Sequence, residues 1–283
     1  MPNPQIVFAA RSDKGCARRN NEDNLYCCGT ILTSDRQNLP FKTGGVFSAP
    51  AVFAVFDGVG GEQLGEQASL TAAQTLAEHA DRICSAGTAQ IDSAVKVLVD
   101  DINRRIREES KTMSVRMGTT MALAVVTQSE IRAYNIGDSR IYMFDERTGL
   151  RVVSIDHTLA MRRVKAGLVS ETEARRSGDW SKLTACLGIA FENGLISEPY
   201  MSPPVPLSGK VRLLLCSDGL TDMVQDERIE HILGSCKNIE KAVQELMSEA
   251  LNNGGRDNIT IIAAEIRKQN PLLGRFLPKG GRR

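Results

Sequence analysis

Short apolar runs and two long stretches of helical spacing divide the chain. Residues 52–56 form an unbroken β-type apolar run. Residues 119–126, 131–136 and 140–144 follow one another with turn residues between them, and 211–216 and 259–266 repeat the pattern. Each predicts a strand. Between the first run and the second, apolar side chains recur at helical intervals. Ala68, Ala72, Leu76, Ala80 and Ile83 do so within 64–83, and Ile91, Val95, Leu98, Ile102 and Ile106 within 91–108. Gly87 separates the two, which predicts an antiparallel helix pair. A further helix is expected over 239–251, stopped by Asn253 and Gly254. Ser170-Glu171-Thr172-Glu173 is a capping box that opens a short helix. Residues 30–50 hold Gly44, Gly45 and two prolines and read as a protruding loop. Strands outnumber helices and lie close together, so an α+β fold of antiparallel sheets covered by helices is expected.

Composition narrows the function classes. The chain has 283 residues, 42% hydrophobic and 24% charged, as in ordinary globular proteins. Basic and acidic residues number 35 and 34, so no global field for nucleic acid exists. No run of about 18 apolar residues occurs, and no membrane span is expected. The opening Met-Pro-Asn-Pro-Gln has neither a basic start nor an apolar run, so a cytoplasmic protein without a secretory signal is expected. Seven cysteines, two adjacent and none in C-x-x-C, suit a reducing compartment rather than a disulfide framework or a zinc site. Histidines 79, 157 and 231 cannot form H-E-x-x-H. They read as packing, turn and surface residues.

No repeat or linker precedes residue 267, which predicts one domain over 1–266. From 267 to 283 there are six basic residues and no acid. A solvated basic tail is the favoured reading. A docking tail for an acidic partner or an anionic membrane is the sharper one.

The acids carry the chemistry. Residues 52–56 run into Asp57-Gly58, 131–136 into Gly137-Asp138, and 211–216 into Ser217-Asp218-Gly219. Asp257-Asn258 precedes the last strand, and Glu22-Asp23 lies near the start. Any one of these alone reads as a turn. Strand ends of one sheet converge, however, and clustered carboxylates need neutralising. Hard divalent cations do this through oxygen ligands, and the scarcity of histidine favours Mg²⁺ or Mn²⁺ over zinc. A glycine beside the acid allows a carbonyl or a phosphate to come close.

These segments together resemble the metal-dependent serine/threonine protein phosphatases, the type 2C (PPM) family, in its bacterial form. Arg18-x-x-Asn21-Glu22-Asp23, Asp57-Gly58-Val59-Gly60-Gly61 followed by Gly65-Glu66-x-Ala68-Ser69, and Met117-Gly118-Thr119-Thr120 are similar to its motifs. So are Ile136-Gly137-Asp138-Ser139-Arg140, Cys216-Ser217-Asp218-Gly219-Leu220-Thr221-Asp222 and Gly255-Arg256-Asp257-Asn258-Ile259-Thr260. Order and spacing agree from about residue 7 to residue 266. The resemblance implies a four-layer α-β-β-α sandwich and a binuclear metal centre. Asp57 would bridge two ions and the Gly58 carbonyl would ligate one. Asp218 and Asp257 would complete one ion, and Glu22 would approach the other. A third ion at Asp138, sharing Asp218, belongs to the bacterial branch. Asp23 and Asn258 would support the ligands, and Arg18 would clamp the substrate phosphate. The implied activity is hydrolysis of phosphoserine and phosphothreonine in proteins by a metal-activated water. A serine/threonine kinase would be its counterpart and a monomer its form.

Other hydrolytic chemistries fail on spacing. No cysteine has Arg six residues on, so a cysteine phosphatase is excluded, and Ser139 does not sit in G-x-S-x-G. The family's frequent histidine after Asp-Gly is replaced at Val59 and Glu62, so no general acid is assigned. Residues 155–188 match the family's flap at both ends but not around Trp180, which is the only Trp. Trp180 reads as core packing or as a substrate-facing contact on a lid. A phospho-binding module and a small-molecule phosphomonoesterase on the same fold are the alternatives.

Overall fold

A computed structural model describes residues 3–59, 64–189 and 198–268. Gly60, Gly61 and Glu62 of the second motif, and the tail from residue 269, lie outside the described residues.

The chain opens with β1 (Gln5–Asp13), β2 (Asp23–Cys27), β3 (Thr30–Ile31), β4 (Phe41–Ser48) and β5 (Ala51–Val59). The helices α1 (Gly65–Ser85) and α2 (Ile91–Met113) follow. Next come β6 (Gly118–Thr119), β7 (Met121–Val126), β8 (Glu130–Ile136), β9 (Arg140–Asp145) and β10 (Gly149–Val152). The short helices α3 (Leu159–Lys165) and α4 (Glu171–Arg175) lie between β10 and β11 (Tyr200–Met201). The chain closes with β12 (Val205–Pro206), β13 (Lys210–Cys216), α5 (Asp218–Thr221), α6 (Asp226–Ser235), α7 (Ile239–Asn252) and β14 (Ile259–Arg267).

Two antiparallel sheets result. One runs β10-β9-β13-β14-β1-β4, and the other runs β11-β8-β7-β5-β2-β3 with β12 beside β8 and β6 beside β5. The alternation of side chains along each strand assigns the layers. On β13, Leu213 and Leu215 point between the sheets, whereas Leu214 and Cys216 point outward. On β5, Phe53 and Val55 point inward, and Val52, Ala54 and Phe56 outward. The outward faces are covered by Ala68, Ala72, Leu76, Leu98 and Ile102 of α1 and α2 on one side. Ile229, Ile232, Val243 and Leu246 of α6 and α7 cover the other. The expected four-layer α-β-β-α sandwich is what forms.

The structure corrects the reading of residues 30–50. They are not simply a protruding loop: β3 pairs with β2, and β4 pairs along its whole length with β1, from Phe41 opposite Ser12 to Ser48 opposite Gln5. Glycine is depleted in strands, which hid β4. Here the glycine serves close approach, since a Cβ on Gly44 would stand 2.9 Å from the Phe8 carbonyl oxygen. The strand expected over 119–126 is broken at Thr120 into β6 and β7. The strands β1 and β2 and the helix α6 were not picked out by pattern. β2 begins with Asp and Asn, and both are fully buried. The helix α2 runs past residue 108 to Met113, where Ser114 closes it in a left-handed conformation at φ 56°. The capping box at Ser170 forms as expected.

Phe53 lies fully buried between the sheets, with its ring centroid 5.5 Å from that of Phe8. Phe53→Ala should lower the unfolding free energy by about 3–5 kcal/mol in urea titration. A loss under about 1 kcal/mol would mean that this layer does not hold the sandwich together.

Candidate metal centre

Both sheets deliver acids to one end of the sandwich. β5 carries Asp57 and Gly58, and the turn after β8 carries Asp138. Asp218 opens α5 directly after β13, and Asp257 stands just before β14. Glu22 precedes β2. A cavity of about 820 Å³ is lined by all of these together with Arg18 and Asn258. The expected site residues are therefore in one place.

Uncharged side chains hold the acids there. The Asp57 N–H donates to Thr120 Oγ1 at 3.0 Å, and the Thr120 N–H returns to the Asp57 carbonyl at 2.8 Å. Thr119 Oγ1 donates to the same carbonyl at 2.9 Å. Thr120 Oγ1 also shares a 2.7 Å hydrogen bond with Ser139 Oγ, next to Asp138. The break between β6 and β7 is what aims Thr120 at Asp57. Asn258 Oδ1 accepts from the Glu22 N–H at 2.7 Å, while its Nδ2 donates to the carbonyls of Lys14 and Asn20. This buried amide ties the segment before β2 to the start of β14. Gly58 sits where the backbones cross: a Cβ there would fall 2.2 Å from the Gly65 carbonyl oxygen and 2.5 Å from that of Glu22. Only glycine fits.

The tightest group among the described residues is Asp57, Asp138 and Asp218, whose carboxylates each offer an oxygen within 4.8 Å of the others. Glu22 and Asp257 line the same cavity outside this trio. Burial pushes Asp57 and Asp218 well up, and the facing Asp218 and Asp138 carboxylates add to this respectively. Burial, then Asp156, pushes Asp138 up to about 7. Asp23 is fully buried and pushed up to about 7, chiefly by burial, although the Ser217 hydroxyl donates to its Oδ2 at 2.7 Å. Burial, then Glu66, raises Glu22. Two buried carboxylate oxygens, Asp23 Oδ1 and Glu66 Oε2, have no hydrogen-bond partner. A dense set of buried carboxylate oxygens, two of them without a donor, fits hard divalent cations. Among the described residues no histidine or cysteine lines the cavity: His157 Nδ1 accepts from the Gly137 N–H, and Cys216 packs in the outer apolar layer.

Arg18 stands at the rim, with its side chain 52% exposed and Nη2 2.7 Å from Asp257 Oδ2. Flap residues Ser181 and Leu183 form the opposite wall. The flap is anchored by the buried pair of Arg140 and Asp156. Trp180 is half-buried, with Arg140 and Arg175 over its ring at 5.7 and 4.8 Å. It packs the flap base against the body and borders a small recess with Asp138 and Asp222. Thr120, Ser139, Ser217 and Asp222 were within the motifs but drew no role. Their only signal was a polar residue beside a predicted strand, which is common everywhere.

The acid cluster has a measurable consequence. Unfolded Asp loses its proton near pH 3.9, whereas folded Asp23 and Asp138 hold theirs to about 7. Between these values the folded, metal-free protein binds more protons than the unfolded chain, so its stability falls as pH rises through that window. The thermal midpoint in EDTA should be higher at about pH 5 than at about pH 7.5, and Mn²⁺ should close the gap. A metal-free midpoint that rises between these pH values would contradict the burial of the cluster.

Comparison with known proteins agrees with this geometry. A family model described as protein phosphatase 2C matches residues 43–255. The serine/threonine phosphatase stp of Listeria monocytogenes is 31% identical over 258 residues, covering 90% of this chain and 94% of that protein. The structure of the Mycobacterium tuberculosis serine/threonine phosphatase PstP/Ppp superposes with a TM-score of 0.76 at 28% identity, covering 92% of this chain and 98% of that one. The catalytic domain of the phosphatase PstP in complex with two manganese ions gives a TM-score of 0.74 at 27% identity, covering 93% and 99%. Motif order, four-layer architecture and sequence relationship coincide, and the chain belongs to the protein phosphatase 2C family.

Proposed function

We propose that the protein is a metal-dependent phosphatase that releases phosphate from phosphoserine and phosphothreonine in proteins. The observation that carries this reading is the trio Asp57, Asp138 and Asp218 on the floor of a cleft with Arg18 at its rim. The named relatives are serine/threonine phosphatases, and one binds two manganese ions.

Asp57, Asp218, Asp257, Glu22 and the Gly58 carbonyl would hold two Mn²⁺ or Mg²⁺ ions, with Asp138 and Asp218 offering a third position. Bound cations supply a water of lowered pKa and offset charge on the phosphoryl oxygens. The remaining work falls to the chain. Asp257 holds the Arg18 guanidinium at the cleft mouth, so its fork of donors is oriented before phosphate arrives. Asn258 fixes Glu22 relative to Asp257 through the backbone. Asp23, braced by Ser217, supports the floor. The flap wall limits water on one side. No histidine lines the cavity among the described residues, so protonation of the leaving oxygen is not assigned to a side chain.

The ligand set is intact, which argues against a mere phospho-binding module. The naming of the relatives as serine/threonine phosphatases favours protein over a small metabolite. We further propose that residues 1–266 are the catalytic domain, that 267–283 is a basic tail, and that the protein acts as a cytoplasmic monomer opposite a serine/threonine kinase. No helix among the described residues is long and apolar enough to cross a membrane.

Phosphate release from phosphothreonine and phosphoserine peptides should require Mn²⁺ or Mg²⁺ and stop in EDTA. Asp57→Asn and Asp218→Asn should each lower kcat by more than about 100-fold while the protein stays folded. Activity near wild type in either variant would overturn the centre. Arg18→Ala should raise KM for p-nitrophenyl phosphate about tenfold with little change in the Mn²⁺ concentration needed. An unchanged KM would remove the clamp role.

A further inference from the structure

A second charged site lies at the end of α2. Arg107, Ser110, Lys111 and Ser114 are spaced i, i+3, i+4 and i+7 along the end of α2, so they share one helix face. With Arg116 and Gly188 they line a shallow pocket of about 440 Å³. Three cations thus meet in one place. Three acids of α2 are already engaged. Asp101 pairs with Arg104, Arg105 and His79, and Glu108 pairs with Arg104. Glu109 accepts from Thr71 and Gln67. Among the described residues, no ion pair includes Arg107, Lys111 or Arg116. Lys111 complements the negative end of the helix dipole. Two further arginines exceed that need.

The pocket is built into the same frame as the metal centre. Gly188 closes it, and the Gly188 N–H donates to Asn103 Oδ1 of α2 at 2.8 Å, so flap end and helix are locked together. Arg116 lies two residues before Gly118, which pairs with Val59 of the cleft wall. Thr120, which is hydrogen-bonded to Asp57, is four residues from Arg116, a span of at most about 14 Å. An extended peptide advances about 3.3 Å per residue. A neighbour at most about four positions from a phosphorylated residue at the acid cluster would therefore span the distance to Arg116.

We infer that this pocket binds an acidic side chain of the substrate protein, at most about four residues from the phosphorylated one, and so selects acidic phosphopeptides. The inference rests on the proposed phosphatase activity. Its energy is that of exposed charges and is screened by salt, so it acts on capture of the substrate and not on the chemical step.

The test compares three phosphothreonine peptides: one neutral, one with three Glu centred about three residues before the phosphothreonine, and one with them centred about three residues after. In the wild-type protein, one acidic peptide should show a KM about tenfold below the neutral one, and the advantage should shrink as salt rises from about 0.05 to about 0.5 M. The combined Arg107→Ala, Lys111→Ala and Arg116→Ala variant should lose the advantage while keeping kcat and p-nitrophenyl phosphate hydrolysis. Replacing both arginines by lysine should retain it. Equal KM for all three peptides in the wild type, or a preference that survives the triple substitution, overturns the inference. Failure of the phosphatase reading is distinct, because no metal-dependent release from any peptide or from p-nitrophenyl phosphate would then be seen.

Discussion

Carboxylates that repel one another are held within 4.8 Å at the end of the sandwich, and the remaining features of the site answer to that repulsion. At an effective dielectric near 20, two full charges at this distance cost on the order of 3 kcal/mol per pair. The three hydrogen bonds that grip the Asp57 backbone return about 0.5–1.5 kcal/mol each. Over the three pairs of the trio the repulsion comes to roughly 10 kcal/mol and exceeds that return, so the frame alone cannot hold the acids charged. Protons do so at low pH, and burial is what chiefly keeps those of Asp23 and Asp138 to about 7. Divalent cations do so at neutral pH, and that exchange is what makes the cluster a metal centre rather than a flaw in the fold.

The frame is made of side chains without charge. Thr120, Ser139, Ser217 and Asn258 each join a segment carrying an acid to a segment from elsewhere in the chain. Two sheets are needed for this. Asp57 and Asp138 come from the eight-stranded sheet, Asp218 and Asp257 from the six-stranded one. Packing of Phe8, Phe53, Leu213 and Ile262 between the sheets fixes their separation. The apolar core and the polar site are thus one mechanical unit.

Charge is partitioned around the cleft. Acids and Arg18 line the cleft, and the cations of α2 line a separate pocket that ends at Gly188. Trp180, stacked by Arg140 and Arg175, keeps the flap base in place beside this floor. A phosphate entering such a cleft meets positive charge first at the edges, and the floor attracts it once cations are bound.

Much of this was legible along the chain. Acids next to glycine at the ends of apolar runs marked Asp57, Asp138, Asp218 and Asp257, because a strand end and its turn are local features. The helical spacing of α1, α2 and α7 was equally local. Tertiary structure decided the rest. The strand β4 has glycines that deny it strand propensity, and only the pairing with β1 makes it one. β2 carries buried Asp23 and Asn24, which no hydropathy pattern places in a core. The break at Thr120 exists because Asp57 needs its hydroxyl, a partner 63 residues away. That Arg107, Lys111 and Arg116 enter no ion pair among the described residues depends on where the acids Asp101, Glu108 and Glu109 are spent. Periodicity and turn chemistry act over a few residues and can be read in order, whereas hydrogen-bond and charge compensation are settled only between segments that the fold brings together.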